Sequence, residues 1–185
     1  MKLKASAAIL AGGENKRNKG FPKIFENVDG QKLIKKQLGV LELIFDDIMI
    51  VAAEGLIFEE DCPHRIIKDI YPKRGPLGGI HSALFHAKHD VVFIIAGDMP
   101  WPDKSVIEKM WERFSSGNTE ALIPIHQKGR EPLYAFYAKD AINPIEDCLK
   151  NNPSPRIICM LDYIKYTQMD FDPIPKCFEN VNRFR

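Results

Sequence analysis

Two adjacent glycines, four cations and a carboxylate that follows an apolar run are the residues best placed for chemistry in this 185-residue chain. Gly12 and Gly13 come directly after an apolar stretch from Ala5 to Ala11, and Lys16, Arg17, Lys19 and Lys23 come after the glycines. Glycines at the end of a strand let the backbone turn sharply and bring bare N–H groups close to a ligand. Successive N–H groups in such a turn form a concave anion site. With positive charge around it, a loop of this kind suits a polyphosphate. The loop is neither of the two common phosphate fingerprints: G-x-x-x-x-G-K-[ST] and G-x-G-x-x-G are both absent. An ordinary strand-to-helix turn with surface lysines accounts for the same residues, so the reading needs support from elsewhere in the chain.

That support begins at Gly97-Asp98-Met99-Pro100, which ends the apolar run Val91–Ala96. A carboxylate just past a buried strand can hold Mg²⁺, an ion that keeps several waters and takes its remaining ligands from substrate phosphates. Asp69 stands in the same relation to the run Arg65–Lys68. A turn or helix-capping aspartate is the plainer reading of each. Cys62, Cys148, Cys159 and Cys177 form no C-x-x-C pair, so neither a zinc site nor a redox motif is signalled.

The elements that must position these residues follow from periodicity. Ala5–Ala11 and Asp47–Ala53 predict buried strands, Arg65–Lys68 a shorter strand, and Val91–Ala96 is the most strand-like run in the chain. Leu33, Ile34, Leu38, Leu41 and Ile44 recur at helical spacing, which predicts a helix over 32–43 with those residues inward. Gly75-Pro76-Leu77-Gly78-Gly79 reads as a break before a helix from Ile80 to His89. Asp103 predicts an N-cap for a helix to Ser115 that turns Val106, Ile107, Met110 and Phe114 inward. Strands at 121–125, 133–137 and 165–170, a polar turn between the first two, and helices at 139–150 and 154–162 complete the chain. Strands alternating with helices predict an α/β fold with a parallel sheet covered on both faces. In such sheets ligands bind outside the carboxyl ends of the strands. The glycine loop, Asp69, Gly75–Gly79 and Asp98 all fall there, and that convergence favours the polyphosphate reading.

Composition removes other classes. Apolar residues are 45% and charged residues 28%, ordinary for a globular chain of one domain. Lys plus Arg number 26 against 25 Asp plus Glu, and a net charge of +1 argues against a nucleic-acid partner. The apolar N-terminal run is too short for a membrane span and lacks a cleavage pattern. A cytoplasmic protein with four reduced thiols, no membrane partner and no nucleic-acid partner is expected.

Taken together, Leu10-Ala11-Gly12-Gly13, Arg17, Gly20, Lys23, Asp69, Gly75-Pro76-Leu77-Gly78-Gly79, Gly97-Asp98-Met99-Pro100 and Asn180-Val181-Asn182 resemble the molybdenum cofactor guanylyltransferase family of the nucleotidyltransferase superfamily. The resemblance implies one Rossmann-like three-layer domain over 1–185, with a mostly parallel central sheet of the nucleotide-diphospho-sugar transferase type. It implies that the phosphate of molybdopterin attacks the α-phosphate of GTP and that pyrophosphate leaves. It implies GTP-binding roles for Leu10, Ala11, Gly12, Gly13, Lys23, Asp69, Gly78 and Asp98, and catalytic roles for Arg17, Lys23 and Asp98. It further implies Mg²⁺ on Asp98, and Arg156, Asn180 and Asn182 toward the pterin. Its partners would be GTP and molybdopterin, with transient contact to cofactor-delivering proteins. The sequence also differs from the family's usual pattern: Asn18-Lys19 replace Met-Gly, Pro22 replaces Asp, and Ala52-Ala53 stand where an asparagine is common. A molybdopterin cytidylyltransferase, a sugar-phosphate nucleotidyltransferase, and a non-catalytic nucleotide-binding protein on the same fold stay open as alternatives.

Overall fold

Strand β1 (Ser6–Leu10) is buried along its whole length and lies inside the sheet, as an unbroken apolar run requires. The structure, a computed structural model, describes residues 1–11, 23–52, 62–152 and 155–181. On one side β1 pairs in parallel with β4 (Asp47–Ala52), and β5 (Arg65–Lys68) extends that flank in parallel. On the other side β1 pairs in parallel with β6 (Val91–Ala96). Beyond β6 lies β9 (Tyr134–Ala138), antiparallel both to β6 and to β7 (Ala121–His126). β10 (Tyr166–Asp170) runs parallel to β7, and the two-residue β8 (Gly129–Arg130) folds back on β7. The order is β10-β7-β9-β6-β1-β4-β5, and β2 (Asn27–Val28) with β3 (Gln31–Lys32) forms a separate hairpin. The sheet is therefore mixed but mostly parallel. This is the mostly parallel sheet expected; the antiparallel part is β9, which runs backwards between β6 and β7, together with the short β8.

Side chains alternate across the sheet as strand geometry requires. Ala7 and Ile9 join the core under α1 (Leu33–Ile44) and α3 (Lys104–Ser115). Ala8 and Leu10 join the opposite core, under α2 (Gly75–His86), α4 (Ile142–Asn151) and the single-turn α5 (Ile157–Met160). Phe93 on β6 anchors the first core, with ring centroids 5.8, 5.0 and 5.1 Å from Phe45, Tyr134 and Phe136. Truncating such a ring costs about 3–5 kcal/mol. From β1 the chain winds to β4 and β5 on one side, then recrosses through α2 to β6 on the other. The direction of winding reverses between β1 and β6. In open α/β sheets the ligand crevice opens at that reversal.

Two helices differ from expectation. α2 begins at Gly75, five residues before the predicted start, and stops at His86. Pro76 sits in its first turn, where a fixed φ suits the helix and no N–H is missed. The apparent break is thus the helix's own start, with Gly75 at φ 65 completing the turn into it. At the far end, the N–H groups of Lys88 and His89 donate to Asp47 Oδ2 and Ser6 Oγ instead of continuing the helix. The predicted helix at 154–162 shrinks to α5, and the one at 139–150 opens with a 3₁₀ turn over Lys139–Ala141. α3 forms as predicted: Asp103 Oδ1 accepts from the N–H groups of Ser105 and Val106 at 2.8 and 3.2 Å. No helix among the described residues is long and apolar enough to cross a membrane.

Candidate active site

Register decides which residues meet at the carboxyl edge. Leu10 aligns with Ala96 on one side and Val51 on the other, and Ala52 aligns with Lys68. Ala11, Asp69, Gly97 and Asp98 are therefore the first residues past the ends of β1, β5 and β6, side by side along one edge. The backbone stitches them there. Ala11 N–H donates to Val51 O at 2.8 Å, Asp69 N–H to Ala52 O at 3.3 Å, and Gly97 N–H to Leu10 O at 2.9 Å.

The contact at the reversal point depends on Gly97. A Cβ there would lie 2.8 Å from Leu10 O, a backbone atom that cannot step aside. Glycine lets the exits of β1 and β6 converge, and Asp98 is the next residue. Four further bonds fix the turn that carries Asp98. Met99 N–H donates to Ala96 O, closing the turn. Gln37 Nε2, from the fully buried side chain on α1, donates to Ala96 O at 2.8 Å and Met99 O at 2.9 Å. Val181 N–H donates to Asp98 O at 3.0 Å, which brings the C-terminal segment with Asn180 beside Asp98. Asn180 Oδ1 is buried and has no hydrogen-bond partner.

Asp69 sits on the other side of β1. Its Oδ1 accepts from the N–H of Tyr71 at 3.0 Å, and Ser82 Oγ of α2 lies 3.1 Å from the same atom. Burial pushes its carboxyl above the ordinary value, and the bonds from Tyr71 and Ser82 offset part of that rise. Gly78 explains how the loop settles on α2: a Cβ at 78 would meet Tyr71 O at 2.7 Å and the Asp69 carboxylate oxygens at 3.1 and 3.2 Å. Gly79 plays a similar part toward β1, where a Cβ would lie 3.3 Å from Leu10 Cδ2. The Leu10 side chain is thereby committed to α2, so only its backbone lies at the edge.

Sequence reasoning counted Leu38 among the inward residues of α1, but Leu38 is only partly buried, and it passed over Gln37, which is buried. It also passed over Arg74. From the N-terminus of α2, the Arg74 guanidinium donates to Leu149 O and Asn152 O, binding the end of α4 to the start of α2. Arg156 stands exposed just beyond, at the N-terminus of α5. Lys23 opens a 3₁₀ turn over Lys23–Phe25, next to the first core through Ile24. Its side chain, together with Gly12, Gly13, Arg17, Gly20 and Asn182, lies outside the described residues.

The comparisons with known proteins bear on this edge directly. A model of the MobA-like NTP transferase domain matches residues 7–162, which include β1, Asp69, α2 and Asp98. The chain belongs to the MobA-like NTP transferase family. It is 37% identical over 159 residues to a "Probable molybdenum cofactor guanylyltransferase" of Clostridium perfringens, covering 84% of this chain and 76% of that protein. It is 36% identical over 144 residues to a "Molybdenum cofactor guanylyltransferase" of Syntrophotalea carbinolica, covering 78% and 68%. Among solved structures, molybdopterin-guanine dinucleotide biosynthesis protein A of Archaeoglobus fulgidus superposes with a TM-score of 0.81 at 26% identity, over 96% of this chain and 92% of that one. A 2-C-methyl-D-erythritol 4-phosphate cytidylyltransferase of Thermus thermophilus shares the fold, with a TM-score of 0.71 at 10% identity over 98% and 93%. As a MobA-like NTP transferase, the chain is a nucleotidyltransferase.

Proposed function

We propose that the chain transfers GMP from GTP to the terminal phosphate of molybdopterin, forming molybdopterin guanine dinucleotide and releasing pyrophosphate. The observation that supports this reading is the convergence of β1 and β6 at Gly97, which brings Gly97, and Asp98 after it, beside Leu10 and Ala11 at the exit of β1. In the reaction an oxygen of the molybdopterin phosphate forms a bond to the α-phosphorus. The bond from that phosphorus to the β-phosphate bridging oxygen breaks, and pyrophosphate leaves with both of its phosphates.

Such a transfer rests on positioning and charge neutralisation, with little covalent work for the protein. The backbone from Leu10 through Gly13 would receive the nucleotide, the N–H groups of Gly12 and Gly13 facing its phosphates. Arg17 and Lys23 would meet the charge that moves onto the leaving pyrophosphate. Asp69 and Gly78 would border the nucleoside at the start of α2. Arg156, Asn180 and Asn182 would face the pterin; the bond from Val181 to Asp98 and the buried, unpaired Asn180 Oδ1 support that side.

The donor set suits Mg²⁺. Asp98 offers a carboxylate on a partly exposed residue at the edge, and among the described residues no group of three or more His, Cys, Asp and Glu could hold an ion by itself. A hard cation that takes one protein carboxylate and completes its shell with phosphates and water fits those donors. When bound, Mg²⁺ supplies charge neutralisation across phosphate oxygens. The test is pyrophosphate release with GTP, Mg²⁺ and molybdopterin, followed by mass identification of the dinucleotide. Release without the dinucleotide, or no release, contradicts the proposal.

A further inference from the structure

We infer that Gln37 is a positioning residue for Asp98, holding the carboxylate at its working height from the far side of the sheet edge. The inference rests on the placement of Asp98 in the active site. Gln37 is fully buried on α1, at a position where the helical pattern calls for an apolar side chain. Its neighbours on that face are Leu33, Ile34, Leu41 and Ile44. The Nε2 group spends both hydrogens on the Asp98 turn, one on Ala96 O and one on Met99 O, the carbonyls that flank Gly97-Asp98. The Oε1 atom is buried without a partner. A side chain chosen for core stability alone would not leave a buried acceptor unpaired, since such a group loses water and gains nothing in return.

The geometry is that of a clamp. Ala96 is the last residue of β6 and is fixed by the sheet, while Met99 follows Asp98. One amide joins both carbonyls, so the distance between them, and with it the direction in which Asp98 leaves the turn, is set by a single rigid planar group. Asp98 is thus fixed from three elements: β1 through Leu10 O and Gly97 N, α1 through Gln37, and the C-terminal segment through Val181 N. Displacement of a reacting group by about 1 Å can lower rate by about a hundredfold. A clamp on the backbone therefore acts on the rate through Asp98 without touching substrate.

The test uses the full chain with Gln37→Met, which keeps the length and bulk of the side chain and removes both donors. Amide hydrogen exchange is followed at Gly97, Asp98 and Met99, with Ile9 and Phe93 as references in the same sheet. Exchange at Gly97 is expected to quicken by roughly tenfold, the scale of one or two lost hydrogen bonds, while the references stay unchanged. In parallel, kcat for pyrophosphate release is expected to fall by roughly ten- to a hundredfold with KM for GTP altered less than about threefold. Gln37→Leu serves if circular dichroism shows that the methionine variant does not fold. Wild-type exchange at Gly97 and Asp98 overturns the inference whatever the rate does. So does quickened exchange with wild-type kcat, provided Asp98→Asn is inactive. If Asp98→Asn is itself fully active, the assignment of Asp98 falls and this inference falls with it.

Discussion

At the scale of single residues, the account places the chemistry on side chains whose surroundings differ in kind. Asp98 is carried on a turn fixed by three elements, and its proposed role is charge. Asp98→Asn should keep the fold, read as an unchanged thermal midpoint, and lower kcat by at least about a hundredfold. Near-wild-type turnover would remove Asp98 from the reaction. Asp69 has a different signature. Burial raises its carboxyl pKa, so the folded state favours the protonated form, and stability declines as pH rises from the ordinary carboxylate range through the raised value. Asp69→Asn keeps an acceptor for the Tyr71 N–H and abolishes that decline. The variant should be at least as stable as wild type at neutral pH in thermal melts, while kcat/KM for GTP drops. A variant that is less stable and fully active would make Asp69 a turn residue only. Lys23→Ala should lower kcat more than it weakens GTP binding, because the charge it meets grows as pyrophosphate departs. Calorimetry and steady-state rates on the same preparation separate the two.

At the scale of elements, the sequence was legible where one periodicity governed. The strand cores of β1, β4 and β6 and the Asp103 cap of α3 could be read directly, because burial on both faces and capping chemistry leave local marks, and the short, largely exposed β5 was read from its paired isoleucines. It was illegible where a residue answers to a distant partner. Gly78 and Gly79 read as helix breakers, yet they sit inside α2 because Tyr71 O and Leu10 press against it there. Gln37 was passed over because its polarity says nothing of two carbonyls 59 and 62 residues away. The backwards course of β9 has no local mark either, being a consequence of the turn after β7. These distant contacts make a prediction of their own. Gly97→Ala puts a methyl 2.8 Å from Leu10 O and must separate the exits of β1 and β6. A stability loss of about 1–3 kcal/mol in denaturant titration is expected, with activity reduced beyond what the unfolded fraction explains. An unaffected rate would show that the convergence is not needed for catalysis.

At the scale of the whole molecule, the two ends of the sheet are built for different purposes. The amino end is a stability knot. Asp47 is nearly buried and accepts from Ser6 Oγ at 2.6 Å, Lys88 N–H at 3.0 Å and Arg65 at 2.7 Å. Burial opposes its ionisation, but these three donors outweigh it and hold its pKa below the ordinary value. Its stabilisation is present above the ordinary carboxylate range and is lost as pH falls through the lowered folded value. Asp47→Ala should cost about 2–4 kcal/mol at neutral pH and flatten the acid limb of the stability curve. A loss that does not shrink on acidification would contradict the ionic account. The carboxyl end instead holds half-buried Asp69 and Asp98, the buried Asn180 acceptor without a partner, and glycines that bring backbones together. Its purpose, in this account, is to join GTP to a phosphate acceptor with base selectivity. Guanine offers two kinds of donor and an acceptor to the backbone, and a base that leaves buried groups unpaired loses about 1–3 kcal/mol for each. The most direct measurement is competition of GTP, CTP, UTP and ATP in molybdopterin-dependent pyrophosphate release at matched Mg²⁺, with the dinucleotide product identified by mass. The account predicts molybdopterin guanine dinucleotide and a preference for GTP on the order of a hundredfold, and a cytosine dinucleotide formed as fast or faster would contradict it.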